Sequence, residues 1–398
     1  MNKHYRSFFI IVIIAILIKL SLFAFTSIHA PDGKFLPDSY GYIDLSNMLV
    51  SNGVFALQDS SGGFAYQTLR TPGYPLFLAV LNGLMKIPLN GVILIQIALT
   101  LLAAFITYKT AMIVEPKIAF LSMVIILFDP PITIFSMIIL TDTLFLLLIS
   151  LFMYEFVLYL KAAISRPPLR VAYYHLSLAA AILAIATYVR PVSYYLGFPI
   201  LFFIIYANRK DGFKKCIAHA LIFGLILYSL LGSWQLRNYT RCHTFAFTTV
   251  AGENAGKCLV KSYARNRDPY TKGMAPLPYY VNVSGRCLMS IMTRPGNFKY
   301  FKSPALTVVG KVLAYPWMVF WLAGFIWGAF KARNNIYVQF TLFIIAYFIA
   351  ASIYSLMWDV SERLRVPMMP FIAIISAYGW VSLKQRMMGP DLKRADQA

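Results

Sequence analysis

Residues 8–25 read FFIIVIIAILIKLSLFAF, an apolar run in which Lys19 is the only charged side chain. Residues 91–106, GVILIQIALTLLAAFI, form a second run that carries no charge. A helix of about 20 apolar residues crosses the hydrocarbon core of a bilayer, so runs of this length predict membrane-spanning helices. An outer-membrane β-barrel would show alternating polar and apolar residues instead. The sequence therefore predicts an all-α, polytopic membrane protein.

The composition supports the same class. Of the 398 residues, 59% are hydrophobic and 13% are charged, whereas soluble domains average about 45–50% apolar and about 25% charged residues. A soluble protein with a single core is excluded, and so is a disordered chain, which would carry few apolar side chains.

Ten spans fit the hydropathy of the chain, which we treat as one integral-membrane domain over residues 1–398. The expected spans are residues 8–28, 89–113, 118–136, 139–161, 172–190, 192–208, 217–234, 306–330, 336–357 and 367–384. The first is too long for the apolar part of a typical signal peptide and is expected to be retained. Residues 73–86 are apolar but too few to cross, and they predict a re-entrant or interfacial helix.

Basic residues lie at alternate ends of these spans and indicate orientation, because cytoplasmic loops are enriched in Lys and Arg. With ten spans they all fall on one side, which places both termini in the cytoplasm. These residues are Lys3, Arg6, Lys109, Lys117, Lys161, Arg166, Arg170, Arg209, Lys210, Lys214, Lys215, Lys331, Arg333, Lys384, Arg386, Lys393 and Arg394. Two large external loops remain, at residues 29–88 and 235–305. The second, about 70 residues long, is too short for a soluble domain with much core and is expected to act as a lid.

The formal net charge of +21 would suggest a nucleic acid partner in a soluble protein. Here the retention of basic loops in the cytoplasm is the first explanation, and no nucleic acid is expected to bind. The external loop 235–305 is also basic, although a long loop can cross regardless of its charge. Its excess suggests an anionic substrate, while contact with acidic lipid headgroups is the simpler explanation for its lysines.

The cysteines predict no metal site, because no CxxC or Cys/His ligand spacing occurs. Cys216 is expected on the cytoplasmic side. Cys242, Cys258 and Cys287 lie in the second external loop, where one disulfide could form in an oxidising compartment and leave one thiol over. The alternative, that all of them are reduced, is equally compatible with the sequence.

Three aspartates are candidates for acid–base chemistry. Asp38 and Asp44 lie in PDSYGYID at residues 37–44, and Asp142 opens the fourth span. A carboxylate near the membrane surface is partly desolvated, and a raised pKa suits a general base. The alternative for Asp38 and Asp142 is a helix cap, which spacing alone favours for Asp38.

Arginines recur at the external ends of the spans. Arg70 lies in RTPGYP before the short apolar segment, and a guanidinium there suits the phosphate of a lipid carrier. Its alternative is an interfacial side chain that snorkels to the headgroups. The other external arginines are Arg190, Arg237, Arg363 and Arg365.

Nucleotide and protease motifs are absent. The sequence contains no P-loop, no Rossmann glycine pattern, no HExxH and no GxSxG. No cytoplasmic loop exceeds about a dozen residues, which leaves little room for a cytosolic nucleotide site. A donor must therefore be reached from outside or from within the bilayer.

Six motifs together resemble the GT-C glycosyltransferases, which use a polyprenyl-phosphate sugar. The group includes the aminoarabinose transferase acting on lipid A and the bacterial protein O-mannosyltransferase-like proteins. The motifs are PDSYGYIDLS (37–46), RTPGYPLFLA (70–79), TDTLF (141–145), YVRP (188–191), WQLRNY (234–239) and SERLRVPMMPFIAIISAYG (361–379). Each is weak alone, and their order and external placement carry the resemblance.

The resemblance implies roles for these residues. Asp38 corresponds to the proposed catalytic base, and Asp142 to a supporting acid. Relatives often carry a second acid after the first; Ser39 stands there in this chain, and Asp44 is a weak substitute. The expected phosphate-binding residues are Arg70, Arg190, Arg237, Arg363 and Arg365. The expected substrate-binding residues are Tyr40, Tyr42, Tyr74 and Glu362.

The implied reaction is a single inverting displacement on the periplasmic face of a bacterial cytoplasmic (inner) membrane. Its partners would be the lipid-linked sugar, membrane lipids and an acceptor that is a glycan, a lipid or a protein. No cofactor is expected, and no metal, because arginines can stabilise a phosphate leaving group.

Two other classes remain open. A transporter or flippase would carry several charges within its spans, and often internal repeats. No repeat is visible, and the few candidates, Lys19, Glu155 and Lys311, lie within or nearly within snorkelling reach of a span end. A polysaccharide polymerase or ligase would share the external arginines but would not require the motif around Asp38.

Overall fold

The fold is that of a helical membrane bundle, described here from a computed structural model. The structure describes residues 3–58, 62–165, 168–210, 212–250, 252, 271–355 and 362–387. Cys258 therefore lies outside the described residues, and Cys242 forms no disulfide with a described cysteine.

Fourteen α-helices are described within these ranges. They are α1 Lys3–His29, α2 Pro37–Asn52, α3 Gly73–Leu78, α4 Leu89–Val114, α5 Ala119–Leu127, α6 Pro130–Ser136, α7 Asp142–Ser165, α8 Leu169–Val189, α9 Gly197–Asn208, α10 Phe213–Cys242, α11 Pro276–Thr293, α12 Pro304–Lys331, α13 Ile336–Ser355 and α14 Met369–Met387. A π-helical turn, Ala79–Leu84, continues α3. The 3₁₀ helices are Pro31–Lys34, Pro116–Ile118, Pro191–Leu196, Phe298–Phe301 and Glu362–Met368.

The predicted number and placement of the spans are confirmed. Nine helices of the described chain are long and apolar enough to cross a membrane, or ten if one bent pair counts as a span. The bent pair is Pro116–Leu127 with Pro130–Ser136, which meet at 51°. Pro130 and Pro131 cause this break, because proline lacks the N–H that a continuous helix requires and disfavours helical geometry in the residue before it.

The centre of the bundle lies around α7 and α14. In the most apolar 18 residues of each span, 67% of the residues are buried in α7 and 72% in the segment Glu362–Met387. The corresponding share in α1 is only 11%. Glycines allow α12 and α14 to pack closely, since a Cβ at Gly324, Gly328 or Gly379 would overlap main-chain atoms of the facing helix. The 3₁₀ helix that opens the last span is thus carried by one of the best-packed helices.

Lys19 corrects one expectation. It does not snorkel to a span end, but lies buried with 1% of its surface exposed. Its Nζ donates a hydrogen bond of 2.8 Å to Thr133 Oγ1 on α6. An apolar helix has no preferred rotation against its neighbours, so this bond provides a specific attachment for the otherwise exposed α1.

The segment between α1 and α4, which is predicted to be external, contains a small hairpin that the all-helical prediction did not include. Strands β1 (Ala56–Gln58) and β2 (Phe64–Tyr66) pair antiparallel, with Ala56 opposite Tyr66. The apolar segment after it forms the short helical stretch Gly73–Leu84, as its length predicts. In the second large loop of the prediction, α10 continues past the expected span end to Cys242, so Arg237 lies on a helix.

Candidate active site

Asp38 lies in the first turn of α2, and its carboxylate does not cap the helix. Pro37 occupies the first helical position, which needs no N–H partner. The Ser39 hydroxyl accepts a hydrogen bond of 2.9 Å from the Leu36 N–H. Because Ser39 rather than Asp38 closes the helix start, the interpretation of Asp38 as a helix cap is wrong. A negative charge in the first turn still interacts favourably with the helix dipole.

Arg70 is placed by the turn RTPG. Gly73 packs directly on α8, where a Cβ would lie 2.7 Å from main-chain atoms of Tyr188 and Val189. The hydroxyl of Thr71 donates to the Val189 carbonyl at 3.4 Å. The turn therefore packs on the end of α8. This brings Arg70 near Arg190, which directly follows Val189 in the chain.

Asp142, the first residue of α7, binds two arginines. Its Oδ1 accepts a hydrogen bond of 2.8 Å from Arg190 Nη1. The Nε of Arg363 lies 3.0 Å from Oδ1 and 2.8 Å from Oδ2 of the same carboxylate. A buried carboxylate requires such partners, because an unpaired charge in this position is strongly destabilising. Both oxygens of Asp142 thus serve the arginines rather than a helix cap.

Arg363 also connects the two aspartates. Asp38 Oδ1 accepts a hydrogen bond of 2.7 Å from Arg70 Nη2, and Asp38 Oδ2 lies 3.4 Å from Arg363 Nη1. We call the five residues Asp38, Asp142, Arg70, Arg190 and Arg363 the Asp–Arg cluster. Three arginines and two aspartates leave it one positive charge.

The Asp–Arg cluster gathers the ends of several helices at one end of the bundle. Asp38 follows α1, Asp142 begins α7, Arg190 follows α8, and Arg363 precedes α14. Contact between them requires these four ends to lie on the same side, as the alternating spans predict. Part of the second large loop lies at this end too. The Thr249 N–H donates to the Thr68 carbonyl at 3.1 Å, close to Arg70 in the chain.

The two acids differ in accessibility. The Asp38 side chain is 37% exposed and Asp142 is 0% exposed. Asp38 and the partly exposed Arg70 are therefore accessible from outside the protein, whereas the buried Asp142 binds Arg190 and Arg363. Within the described chain, no group of three or more His, Cys, Asp or Glu could hold a metal ion.

The charge state of Asp38 follows from its neighbours. Burial raises the pKa of its carboxyl, but the charges and hydrogen bonds of Arg70 and Arg363 lower this pKa by more than burial raises it. The net pKa of Asp38 lies below the usual value, which corrects the raised pKa expected from desolvation, and the group is ionised at neutral pH. The cluster therefore presents an accessible carboxylate already in its basic form.

Two tyrosines line the cluster. The Arg70 guanidinium lies 5.1 Å above the ring of the buried Tyr42, and burial raises the pKa of Tyr42, which keeps its hydroxyl protonated. Tyr74 meets Tyr42 edge to face, with ring centres 5.2 Å apart. Tyr74 donates a hydrogen bond of 2.7 Å to Gln96 Oε1 and is fully buried, so it supports Tyr42 from behind. Tyr40 instead lies 57% exposed outside the cluster, stacked on Phe35.

Several predicted site residues are not brought into the cluster. Asp44 is exposed on α2, and no ion pair joins it to a described residue. Glu362 is buried beside Arg363, but among the described residues no ion pair links it to the cluster. The tyrosine Tyr300, which the sequence analysis did not single out, lies within electrostatic range of Glu362, Arg363 and Asp142.

Arg237 has a different place from the one predicted. Its Nη2 donates to the Phe55 carbonyl at 2.7 Å and its Nη1 to the Gln67 carbonyl at 2.9 Å. Its guanidinium also lies 4.7 Å from the ring of Trp234. These bonds attach the β-hairpin to α10, so the guanidinium is occupied by the protein itself rather than directed at the cluster.

Arg365 likewise lies outside the Asp–Arg cluster. Only 1% of its surface is exposed, and its Nη1 donates to the carbonyls of Ile291 at 2.7 Å and Arg294 at 3.0 Å. A phosphate donor has no access to such a group. The buried position of Arg365 therefore does not support the predicted contact between this residue and the phosphate.

Gln96 is a supporting residue that sequence reasoning missed. Its Nε2 donates to the carbonyls of Ile138 at 2.8 Å and Ser136 at 3.2 Å. These carbonyls belong to the irregular segment that leads into Asp142, where the helical hydrogen-bond ladder is interrupted. The available signal was a single amide within the apolar run 91–106, since an intramembrane polar group needs a partner.

Comparisons with known proteins place the fold. No model of a protein family matches the sequence, and no curated protein matches it significantly. Among solved structures, the oligosaccharyltransferase AglB from Archaeoglobus fulgidus, in complex with an inhibitory peptide and a dolichol-phosphate, superposes with a TM-score of 0.60 at 14% identity. That match covers 98% of this chain and 52% of AglB.

ArnT from Cupriavidus metallidurans is a second structural neighbour. Its apo structure gives a TM-score of 0.56 at 14% identity, and its complex with undecaprenyl phosphate gives 0.56 at 15%. Each match covers 92% of this chain and 59% of ArnT. The chain thus spans little more than half the length of these proteins. It has the polytopic transmembrane fold of AglB and ArnT, which is the fold of the GT-C glycosyltransferases, as its motifs predict.

Proposed function

We propose that this protein transfers a sugar from a polyprenyl-phosphate donor to an acceptor hydroxyl on the periplasmic face of a bacterial cytoplasmic membrane. The observation that carries the proposal is the position of Asp38, an accessible, ionised carboxylate held between Arg70 and Arg363. A base and phosphate-binding cations are thus adjacent at one end of a membrane bundle with the GT-C fold.

The charge of the cluster suits the donor. A sugar linked through a monophosphate is a phosphodiester with one negative charge, which matches the single positive charge of the Asp–Arg cluster. Arg70 and Arg363 are the least buried arginines around Asp38, and planar guanidinium groups bind phosphate oxygens in pairs. Binding of the donor would draw these groups partly away from Asp38 and raise the basicity of its carboxylate.

The transfer is written as one displacement. Asp38 accepts the proton of the acceptor hydroxyl, and the hydroxyl oxygen forms a bond to the anomeric carbon as the bond from that carbon to the phosphate oxygen breaks. Polyprenyl phosphate leaves with an added negative charge, which Arg70, Arg190 and Arg363 stabilise. One displacement inverts the configuration at the anomeric carbon. Asp142 fixes the directions of Arg190 and Arg363 during this step.

The membrane arrangement completes the proposal. Both termini lie in the cytoplasm, because the basic residues flank the ends of the bundle opposite the cluster. The second external loop acts as a lid. This role is supported by its first residues, since the Thr248 hydroxyl donates to the Leu69 carbonyl at 2.9 Å, next to Arg70.

The test uses purified protein with radiolabelled polyprenyl-phosphate sugars and a membrane extract as the source of acceptor glycans, lipids and proteins. Wild-type protein should transfer label, and Arg70→Leu should reduce kcat/KM by about 10²–10³, the effect of one lost charge-stabilising donor. Asp32→Asn is the matched control, because Asp32 is an external aspartate with 83% of its side chain exposed.

The outcome also separates the alternatives. Label that moves across proteoliposome membranes without transfer to an acceptor would favour a flippase. Wild-type protein that binds no lipid-linked sugar would contradict the proposed donor class.

A further inference from the structure

A second group of buried charges lies next to the Asp–Arg cluster and takes no part in the proposed reaction. Arg365 and Asp129 are 1% and 0% exposed, respectively. The Nη2 of Arg365 lies 3.9 Å from Oδ2 of Asp129. Charges buried away from water are costly, so their presence indicates a function that an apolar pair would not supply.

Arg365 holds the external helix α11. Its Nη1 donates to the carbonyls of Ile291 and Arg294, with the Met292 carbonyl 3.4 Å away. These carbonyls lie at the end of α11, where the helix leaves its last carbonyl groups without internal partners. Arg365 therefore serves as the C-terminal cap of a helix that is far away in sequence.

Asp129 lies on the other side of the same guanidinium and interacts with it through charge at 3.9 Å, without a hydrogen bond. Its Oδ1 accepts a hydrogen bond of 3.1 Å from the Ile132 N–H and caps α6, while Oδ2 faces Arg365. Gly296, just after α11, packs on Pro130 and Ile134 of α6. The end of α11, the start of α6 and Arg365 thus form one contact region, in which the charges of Asp129 and of Glu362 both act on Arg365.

This region lies close to Arg363 along the chain. Arg363 and Arg365 are two residues apart in the same 3₁₀ helix, Glu362–Met368, which also contains Pro367. That short helix contacts α6, α7 and α11. Arg365 fixes the backbone of this short helix. The position of Arg365 therefore determines the direction in which the Arg363 side chain points toward Asp38 and Asp142.

We propose that Arg365, bound between the end of α11 and Asp129, is a positioning residue that sets the place of Arg363 and couples the docking of α11 to phosphate binding. Only the coupling to phosphate binding rests on the proposed function, whereas the docking of α11 does not. Arg365 acts through Arg363 and touches neither donor nor acceptor.

The docking half is tested without any substrate. Cys287 lies buried on α11, so a protein in which it is the only cysteine reports the docking of this helix after reduction. We expect Arg365→Met to raise the rate of maleimide labelling at Cys287 by about tenfold, through local opening of α11. Arg209→Met, at the opposite end of the bundle and exposed, is the control and should leave the rate unchanged. Equal labelling in Arg365→Met and wild type would overturn this half.

A conservative variant covers the case in which Arg365→Met does not fold. Asp129→Asn keeps the oxygen that caps α6 but removes the charge that faces Arg365. It should raise Cys287 labelling in the same direction and by less, about threefold. Labelling at the wild-type rate in Asp129→Asn would contradict the assigned pairing with Arg365.

The coupling half is tested by a double-mutant cycle on the binding of undecaprenyl phosphate. Arg365→Met should weaken binding about tenfold in the wild-type background and less than about twofold in an Arg363→Met background, because residues that act through each other are non-additive. Equal weakening in both backgrounds would show a general structural effect and overturn the coupling.

Failure of the proposed function has its own signature. Wild-type protein that does not bind undecaprenyl phosphate would overturn the donor class and the coupling half together. Cys287 labelling would still decide the docking half, since that measurement needs no donor.

Discussion

Arg363 Nε lies 2.8 Å from Asp142 Oδ2, in a pair that joins the start of the last span to the start of α7. The two residues are far apart in sequence, and each lies at the start of one of the two most buried spans. The same guanidinium reaches toward Asp38 with its Nη1 at 3.4 Å. Arg363 is therefore the residue through which the rigid centre of the bundle is connected to the accessible acid.

The first prediction concerns Asp142. In Asp142→Asn, Arg190 and Arg363 lose their buried counter-charge, and breaking such a pair costs about 3–5 kcal/mol. The thermal midpoint of the purified protein should fall clearly. The matched control, Asp32→Asn, changes an exposed acid and should stay near the wild-type midpoint. A midpoint for Asp142→Asn equal to that of the control would argue against the buried pairing.

The second prediction concerns pH. Arg70 lowers the pKa of Asp38, so removing its charge in Arg70→Gln leaves only Arg363 to oppose burial and raises that pKa. The proposed base must be ionised, and activity is lost as pH falls through its pKa. The acid limb of kcat/KM should therefore lie below the usual carboxyl range in wild type and move to higher pH in Arg70→Gln.

The position of the limb, not the height of the profile, is the measured quantity. Arg209→Gln, at the opposite end of the bundle, should leave the limb in place. An acid limb that does not move in Arg70→Gln would show that Asp38 does not control it.

The third prediction concerns the turn that carries Arg70. Gly73→Ala places a Cβ against the main chain of Tyr188 and Val189, and overpacking of this kind costs about 1–3 kcal/mol. Both stability and transfer should fall. Gly41→Ala on α2 is the matched control, because a Cβ there meets nothing within 4 Å and alanine favours the helix. Thermal unfolding of the two variants would contradict the packing argument if it ranked them in the opposite order.

The fourth prediction concerns metals. Both oxygens of Asp142 bind guanidinium groups, and three arginines surround the position proposed for the phosphate. These fixed cations can stabilise the leaving group in the way that a divalent ion does elsewhere. Transfer should persist in EDTA at its full rate. Loss of transfer in EDTA, restored by added Mg²⁺ or Mn²⁺, would point to a metal-dependent site instead.

The sequence predicts the spans well because their signal is local. Apolar runs and flanking charges determine where each helix crosses, so even the bent third span is found. The same signals predict that five residues lie on one side of the membrane, and the structure brings these five together: Asp38, Asp142, Arg70, Arg190 and Arg363.

What sequence does not contain is the pairing of these residues. Arg190, Arg237, Arg363 and Arg365 all lie at external ends of spans and look equivalent along the chain. Arg237 is taken up by carbonyls of the hairpin, and Arg365 by carbonyls at the end of α11. These contacts join segments more than 70 residues apart, so hydropathy and spacing cannot distinguish them from Arg363.

The most direct test of the central claim is the transfer assay on Asp38→Asn, with donor binding measured on the same preparation. Asparagine keeps the shape of the side chain but cannot accept the acceptor's proton. The account predicts that transfer falls by about 10²–10⁴ while the protein still binds undecaprenyl phosphate. Transfer at the wild-type rate by Asp38→Asn would contradict the account and move the base to another residue, with Asp44 the next to test.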